Sequence, residues 1–336
     1  MLTELSKLSL SPALAVYSII DLLPPGATAS FAEDLNAHGQ VTGWFLTAES
    51  NCLGFVADVN GITFTFCGAL GKDSSGANSI NDDGTVVGTV HSATGHELAF
   101  ICHANSIGLG MAALDCLNGA NSSAHAINAA GRIVGDYLAS DGVRRAFVAS
   151  PGGKGMTDIG TLGGAFSSAH DINASGQVVG ESSTISDKHH AFITGPNGSD
   201  MTDLGTLGGA RSYAFGINVN GEVAGASYTA DEIMHAFVTD AQGRDMTDLG
   251  TLGGRASIAY GINDDGQAVG TSLTADADEH AFLYSGGMMI DLNSLPVVHA
   301  SGWTLSHATA INNRGQIAGY GNFKGRTRAY LLTPAL

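Results

Sequence analysis

Residues 156–180 read MTDIGTLGGAFSSAHDINASGQVVG, residues 201–225 read MTDLGTLGGARSYAFGINVNGEVAG, and residues 246–270 read MTDLGTLGGRASIAYGINDDGQAVG. They recur at a period of 45 residues, and weaker copies lie on both sides. One asparagine anchors each copy: Asn36, Asn81, Asn128, Asn173, Asn218, Asn263 and Asn312, at spacings of 45, 47, 45, 45, 45 and 49. Around each the chain reads Ser-x-Ala-x-x-(Ile/Leu)-Asn-x-x-Gly-x-x-x-Gly. Self-similarity at this period marks a repeat architecture. Within the fourth unit the strand-like runs are short: Ser167–Asn173, Gln177–Ser182, His189–Thr194 and Met201–Thr206. They alternate instead of following a helical period, which predicts strands. The Asn-x-x-Gly between the first two suits a tight turn with glycine at positive φ. Four antiparallel strands per 45 residues predict an all-β, seven-bladed β-propeller.

The ends test that expectation. The last unit stops after its third strand, at Arg328–Leu332. The N-terminal Tyr17-Ser18-Ile19-Ile20-Asp21-Leu22 resembles Met201-Thr202-Asp203-Leu204, so residues 16–26 are expected to supply the missing fourth strand and close the ring. Closure removes exposed sheet edges; an open solenoid is the alternative. Residues 16–336 form one propeller domain on this view. Residues 1–15 form a tail or short docking segment.

The 336 residues include 47 glycines, roughly twice the usual share, and 13% charged residues, about half of it. The formal net charge is −17, from 14 Lys+Arg against 31 Asp+Glu. Phosphate backbones and anionic membranes need clustered cations, so neither nucleic acid nor a membrane is expected as partner. No apolar run approaches the ~18 residues of a membrane helix. The opening MLTELSKLSLSPALA has a lysine and a small-residue triplet, but Glu4 and the serines make a poor export signal. A monomer is expected.

His190-Ala191-Phe192, His235-Ala236-Phe237 and His280-Ala281-Phe282 stand at one position of successive units. With the DLGTLGG segments and the glycine-flanked hairpin, they make residues 17–336 resemble the HAF-repeat family of extracellular bacterial proteins. Units 1, 2, 3 and 7 depart from it, with Leu53, Leu98, Arg145 and Arg328 at the histidine position. The resemblance implies an extracellular or periplasmic setting; a cytoplasmic one is the alternative left by the poor signal. It implies no activity and no catalytic residue. Regular repetition of the histidines predicts a structural role, each tying one blade to its neighbour.

The four cysteines lie within the first 116 residues of the chain. Cys52 and Cys67 flank a turn near Asn60, and Cys102 and Cys116 flank its counterpart. Cross-strand disulfides Cys52–Cys67 and Cys102–Cys116 are therefore expected.

The first strand of each unit lies nearest the axis. Its Ser, Ala and Asn, with a variable residue between the last two, share one face and suit packing between blades. The other face carries two variable positions toward one mouth. Three residues before each asparagine stand Glu33, Asn78, His125, His170, Phe215, Tyr260 and Thr309; five before stand Phe31, Gly76, Ser123, Ser168, Tyr213, Ile258 and His307. A polar arc, Glu33–Asn78–His125–His170, faces an aromatic arc, Tyr213, Phe215 and Tyr260. Such walls suit a ligand with one polar and one apolar side.

Arg211 and Arg255, in equivalent loops, are candidate carboxylate clamps. Trp303, in a longer loop, is a candidate stacking platform. His125, His170 and Glu33 form a candidate set for one divalent metal, since two histidines and a carboxylate are recognised ligands. With Tyr260 the same residues are candidate acid–base groups for a lyase, isomerase, cyclase or hydrolase. The leading expectation is a binding module for a carbohydrate or small polar–aromatic ligand, with His307 also in the site. An enzyme and a protein-interaction platform are the alternatives.

Overall fold

The computed structural model describes residues 16–68, 71–104, 110–115 and 121–335; for 71–73 only the backbone is described. The expected tail, residues 1–15, lies outside these. Antiparallel strands account for nearly all regular structure, with one short α-helix, Pro296–Ser301, in the loop before the last unit. No helix among the described residues is long and apolar enough to cross a membrane.

Five sheets have four strands each, and a sixth has eight because a single parallel bridge, Cys52 to Ser74, joins the first two units. In the fourth unit the strands are Gly163–Ile172, Val178–Thr184, His189–Ile193 and Thr202–Asp203, close to the expected runs. The N-terminal strand Tyr17–Asp21 pairs antiparallel with Arg326–Pro334, the last strand of the chain.

The repeated glycines have distinct reasons. The first, three residues after each asparagine, sits at positive φ (+83° at Gly176), as the tight turn requires. The second faces a β-bulge. In every inner strand the register slips between the alanine and the residue two further on, as at Ala169/Asp171, so one extra residue stands opposite the glycine. The bulge draws the carbonyl of the residue five before the asparagine inward. A Cβ on Gly180 would stand 2.0 Å from the Ser168 oxygen, and one on Gly43 would stand 1.9 Å from that of Phe31.

The asparagines link the units. Each side-chain Nδ2 donates to the backbone oxygen of the next anchor asparagine. The distances are 3.2 Å from Asn36 and Asn81, 2.9 Å from Asn128, 3.0 Å from Asn173 and Asn218, and 3.3 Å from Asn263. Asn312 donates back to Asn36 at 3.0 Å. The serine hydroxyls add a second link: Ser212 and Ser257 accept from the backbone N–H of Ala191 and Ala236, in the unit before. Between sheets lie the fully buried rings of Phe55, Phe100, Phe147, Phe192, Phe237, Phe282 and Tyr330. Each contributes about 2–3 kcal/mol by leaving water.

The repeated histidines are structural, but they act within a unit. His190, His235 and His280 pair through Nδ1 with Asp203, Asp248 and Asp291 of their own fourth strands at 2.8–2.9 Å. The short fourth strand, held by few ladder bonds, gains this side-chain tie. Arg328 does the same with Asp21 on the N-terminal strand.

The expected Cys52–Cys67 disulfide is not present. Both are free thiols, and Cys52 Sγ lies 3.7 Å from the Ser75 carbonyl oxygen. Cys52 pairs with Leu46 on the preceding strand. Cys67 follows the Phe64–Phe66 strand, whose partners begin at Phe55, so the hairpin register sets the two cysteines apart. The Cys102–Cys116 expectation falls on Cys116, outside the described residues; Cys102 is free.

Candidate functional site

All seven units contribute to one central depression. Its deeper part, about 170 Å³, is lined by the residue three before each asparagine and the residue two before all but Asn218, among them Glu33, Asp34, Asn78, His125, His170, Asp171, Phe215, Tyr260 and Thr309. An adjoining space of about 300 Å³ adds His307 and Tyr320. The bulge explains why both positions reach the axis. It breaks strict alternation, so Asp34, Ser79 and Asp171, expected on the packing face, also line the channel.

The polar arc is organised by bonds to the neighbouring unit. Asn78 Nδ2 donates to the Ala124 carbonyl at 2.9 Å, and Thr309 Oγ1 to that of Ala32 at 3.1 Å. His125 and His170 bond through Nδ1 to the carbonyls of Ala169 (2.8 Å) and Ala214 (2.9 Å). A carbonyl only accepts, so Nδ1 carries the hydrogen in both rings. On His170 this leaves Nε2 as the acceptor when the ring is neutral. Burial, then the neighbouring His125, push the His170 pKa down, so the neutral form holds at pH 7. His125 Nε2 lies 3.6 Å from the buried Asp136, which also binds Arg144 and the Ser168 hydroxyl. Burial pushes the Glu33 carboxyl up, and the Trp44 indole N–H, donating to it at 2.8 Å, offsets part of this.

The aromatic arc is longer than the sequence suggested. Ring neighbours run from His170 to Phe215 (5.3 Å between centroids), Tyr260 (5.6 Å), His307 (6.2 Å), Tyr320 (4.5 Å), Phe31 (5.1 Å) and Trp44 (4.0 Å). Tyr213 joins beside Phe215 at 6.4 Å. Trp44 and Tyr320 were missed. Both follow the second glycine directly and pair across the hairpin with Phe31 and His307. Counting register back from the Asn-x-x-Gly turn would have found them. Burial raises the Tyr260 phenol to about 12, so it stays a hydrogen-bond donor at neutral pH.

At the waist, the Asp34 carboxylate accepts from Ser79 Oγ (2.7 Å) and Ile80 N (3.0 Å), and Asp171 from Ile172 N (2.7 Å) and Ile217 N (2.9 Å). Burial is the largest influence on Asp171 and pushes it up to about 7, against the lowering by its two N–H donors. An unfolded aspartate titrates near pH ~3.9. Between the two values the folded chain holds a proton that the unfolded chain has released, so stability falls as pH rises through that window. The loss should be on the order of 2–4 kcal/mol, and Asp171→Asn should remove it. Urea midpoints at pH 4.5 and pH 8 check this; identical pH profiles for variant and parent would contradict it.

Other candidates are placed differently. Among the described residues no three His, Cys, Asp or Glu side chains group as metal ligands. His125 and His170 stand 6.0 Å apart between ring centres, each tied to a carbonyl, and Glu33 is engaged by Trp44. Elemental mass spectrometry of tag-free protein should find no stoichiometric transition metal; one ion per chain, lost in His170→Ala, would restore the metal site. Trp303 is not a platform at the mouth: it is buried, stacks on Phe323 at 4.8 Å and belongs to the core of the last unit. Arg211 and Arg255 are exposed and line neither axial cavity.

No protein-family model matches the chain, and no curated protein is similar to it in sequence. Among solved structures, TolB from Acinetobacter baumannii superposes with a TM-score of 0.52 at 10% identity, over 88% of this chain and 64% of that one. The WD40 domain of Toxoplasma gondii coronin gives 0.53 at 9% identity, over 95% and 86%. YCF48, in a structure bound to a D1 peptide, gives 0.51 at 12%, over 95% and 97%. The chain thus spans just under two thirds of the TolB chain. At such identities the likeness is one of fold, and the fold is that of a β-propeller.

Proposed function

We propose that the chain is a closed, seven-bladed β-propeller whose axial mouth binds a carbohydrate or a similarly two-faced small molecule. The asparagine cycle, returning from Asn312 to Asn36, supports the count and the closure. The binding claim rests on one observation: a run of rings, His170, Phe215, Tyr260, His307 and Tyr320, lines a depression shared with Glu33, Asn78 and His125, and Phe31 and Trp44 continue the ring contacts beyond its lining. A pyranose presents C–H groups on one face and hydroxyls around its edge. The rings offer the first an apolar wall, and the carboxyl, amide, imidazole and phenol groups offer the second donors and acceptors. The HAF-repeat resemblance supports an extracellular or periplasmic setting, where glycans are abundant.

A glycan array tests this. The parent protein should bind a restricted set of glycans, and Phe215→Ala/Tyr260→Ala should weaken binding at least tenfold, about 1.4 kcal/mol. Binding that survives the double substitution would move the site elsewhere. One observation favours a second reading: the His170 tautomer, fixed by Ala214, leaves Nε2 as a free base over the cavity, suited to proton transfer. Turnover of a bound glycan, abolished in His170→Ala with binding retained, would select it.

A further inference from the structure

Away from the axis, two cysteines from different units meet. Cys102 Sγ lies 3.7 Å from Cys67 Sγ, across 35 residues of chain. Cys67 is buried and Cys102 half-buried, beside a narrow cleft that both line with Met111. Each departs from the repeat. The Cys67 N–H donates to Gly54 as that of Leu204 does to Ala191, and the matching positions in other units hold Leu22, Leu114, Ile159 and Leu249. Cys102 stands two residues after its buried phenylalanine, where other units hold Ala57, Ala149, Thr194, Thr239, Tyr284 and Leu332. At these two repeat positions a thiol thus stands only in the units where the two touch.

We propose that Cys67 and Cys102 are a redox-active thiol pair that low-molecular-weight disulfides oxidise to an inter-blade disulfide. A bond of about 2.05 Å requires the sulfurs to approach by roughly 1.7 Å, within the reach of side-chain rotation. The more accessible Cys102 thiolate attacks the disulfide, forming a mixed disulfide and expelling one thiolate. Cys67, deprotonated, then attacks the Cys102 sulfur and expels the second. The protein loses two electrons and two protons; the reagent gains both and leaves as two thiols. The link would fasten the fourth strand of the first unit to the third strand of the second.

The full-length chain, reduced and then treated with oxidised glutathione, should be denatured, alkylated and digested with chymotrypsin without reduction. This protease separates Cys52 from Cys67 and Cys102 from Cys116. Mass spectrometry should find one linked pair of peptides, Cys67 with Cys102, while Cys52 and Cys116 are alkylated. Cys67→Ser should yield no such link. Four alkylated cysteines, a glutathione adduct that never resolves, or a link from Cys102 to Cys116 or from Cys52 to Cys67 would each overturn the proposal.

Discussion

Replacing Gly180 with alanine is expected to destabilise the protein by about 3–5 kcal/mol, among the largest effects of any single methyl group in the chain. The added Cβ would stand 2.0 Å from the Ser168 oxygen and 2.9 Å from the Ala169 Cα, both backbone atoms of the facing strand. No rotamer relieves that clash; the bulge itself must open. The bulge presents His170 and Asp171 to the axis, so the variant should lose the site along with stability. Gly76→Ala is the control. Gly76 has ordinary φ, and its Cβ would meet only the Asn78 side chain, at 3.5 Å. That variant should stay within about 0.5–1 kcal/mol of the parent. Equal midpoints for Gly180→Ala and Gly76→Ala in urea would refute the bulge explanation.

The second large effect concerns the asparagine cycle. Asn128 Oδ1 accepts from the Arg132 N–H at 3.0 Å, closing its own turn, while Nδ2 donates to the Asn173 oxygen in the next unit. Asn128→Ala leaves a buried inter-unit carbonyl without this donor and a turn N–H without its acceptor. The expected cost is about 2–3 kcal/mol, from two lost hydrogen bonds and a turn N–H left without its acceptor, while the Asn173 oxygen keeps the Gly176 N–H. Asn128→Asp keeps the acceptor but sets a carboxylate oxygen against the Asn173 carbonyl, so it should be no better than alanine above pH 5. Denaturant midpoints of the three proteins decide this. An aspartate variant as stable as the parent would show that the inter-unit bond contributes nothing.

Legibility in the sequence followed how strictly the repeat was kept. The anchor asparagines, the turn glycines and the N-terminal strand's role were readable because identical geometry recurs with identical residues. Asp21 shows both sides of this: its place in the Ile-Ile-Asp-Leu segment forecast its strand, but its partner, Arg328, standing where the fourth to sixth units carry histidine, was not foreseen. The site was half readable. Variation against the repeat located Glu33, His125, His170, Phe215 and Tyr260, all of which line the axis. Trp44 and Tyr320 were hidden because they belong to the second strand, and Asp34 and Asp171 because a bulge overrides alternation. Trp303 misled because a long loop with an aromatic looks the same in sequence whether it caps a mouth or fills a core. The cysteines misled because spacing about a turn does not show which strand of the next unit lies alongside.

The central claim is that the axial depression receives a sugar, and Trp44, whose indole N–H bonds the lining residue Glu33, offers a readout. It is one of two tryptophans in the chain; the other, Trp303, is buried in the core of the last unit. Titration of the protein with a panel of monosaccharides, followed by tryptophan emission, should give a saturable change with at least one of them. That change should persist in Trp303→Phe and vanish in Phe215→Ala/Tyr260→Ala. No saturable change with any sugar, or one that survives the loss of Phe215 and Tyr260, would contradict the account.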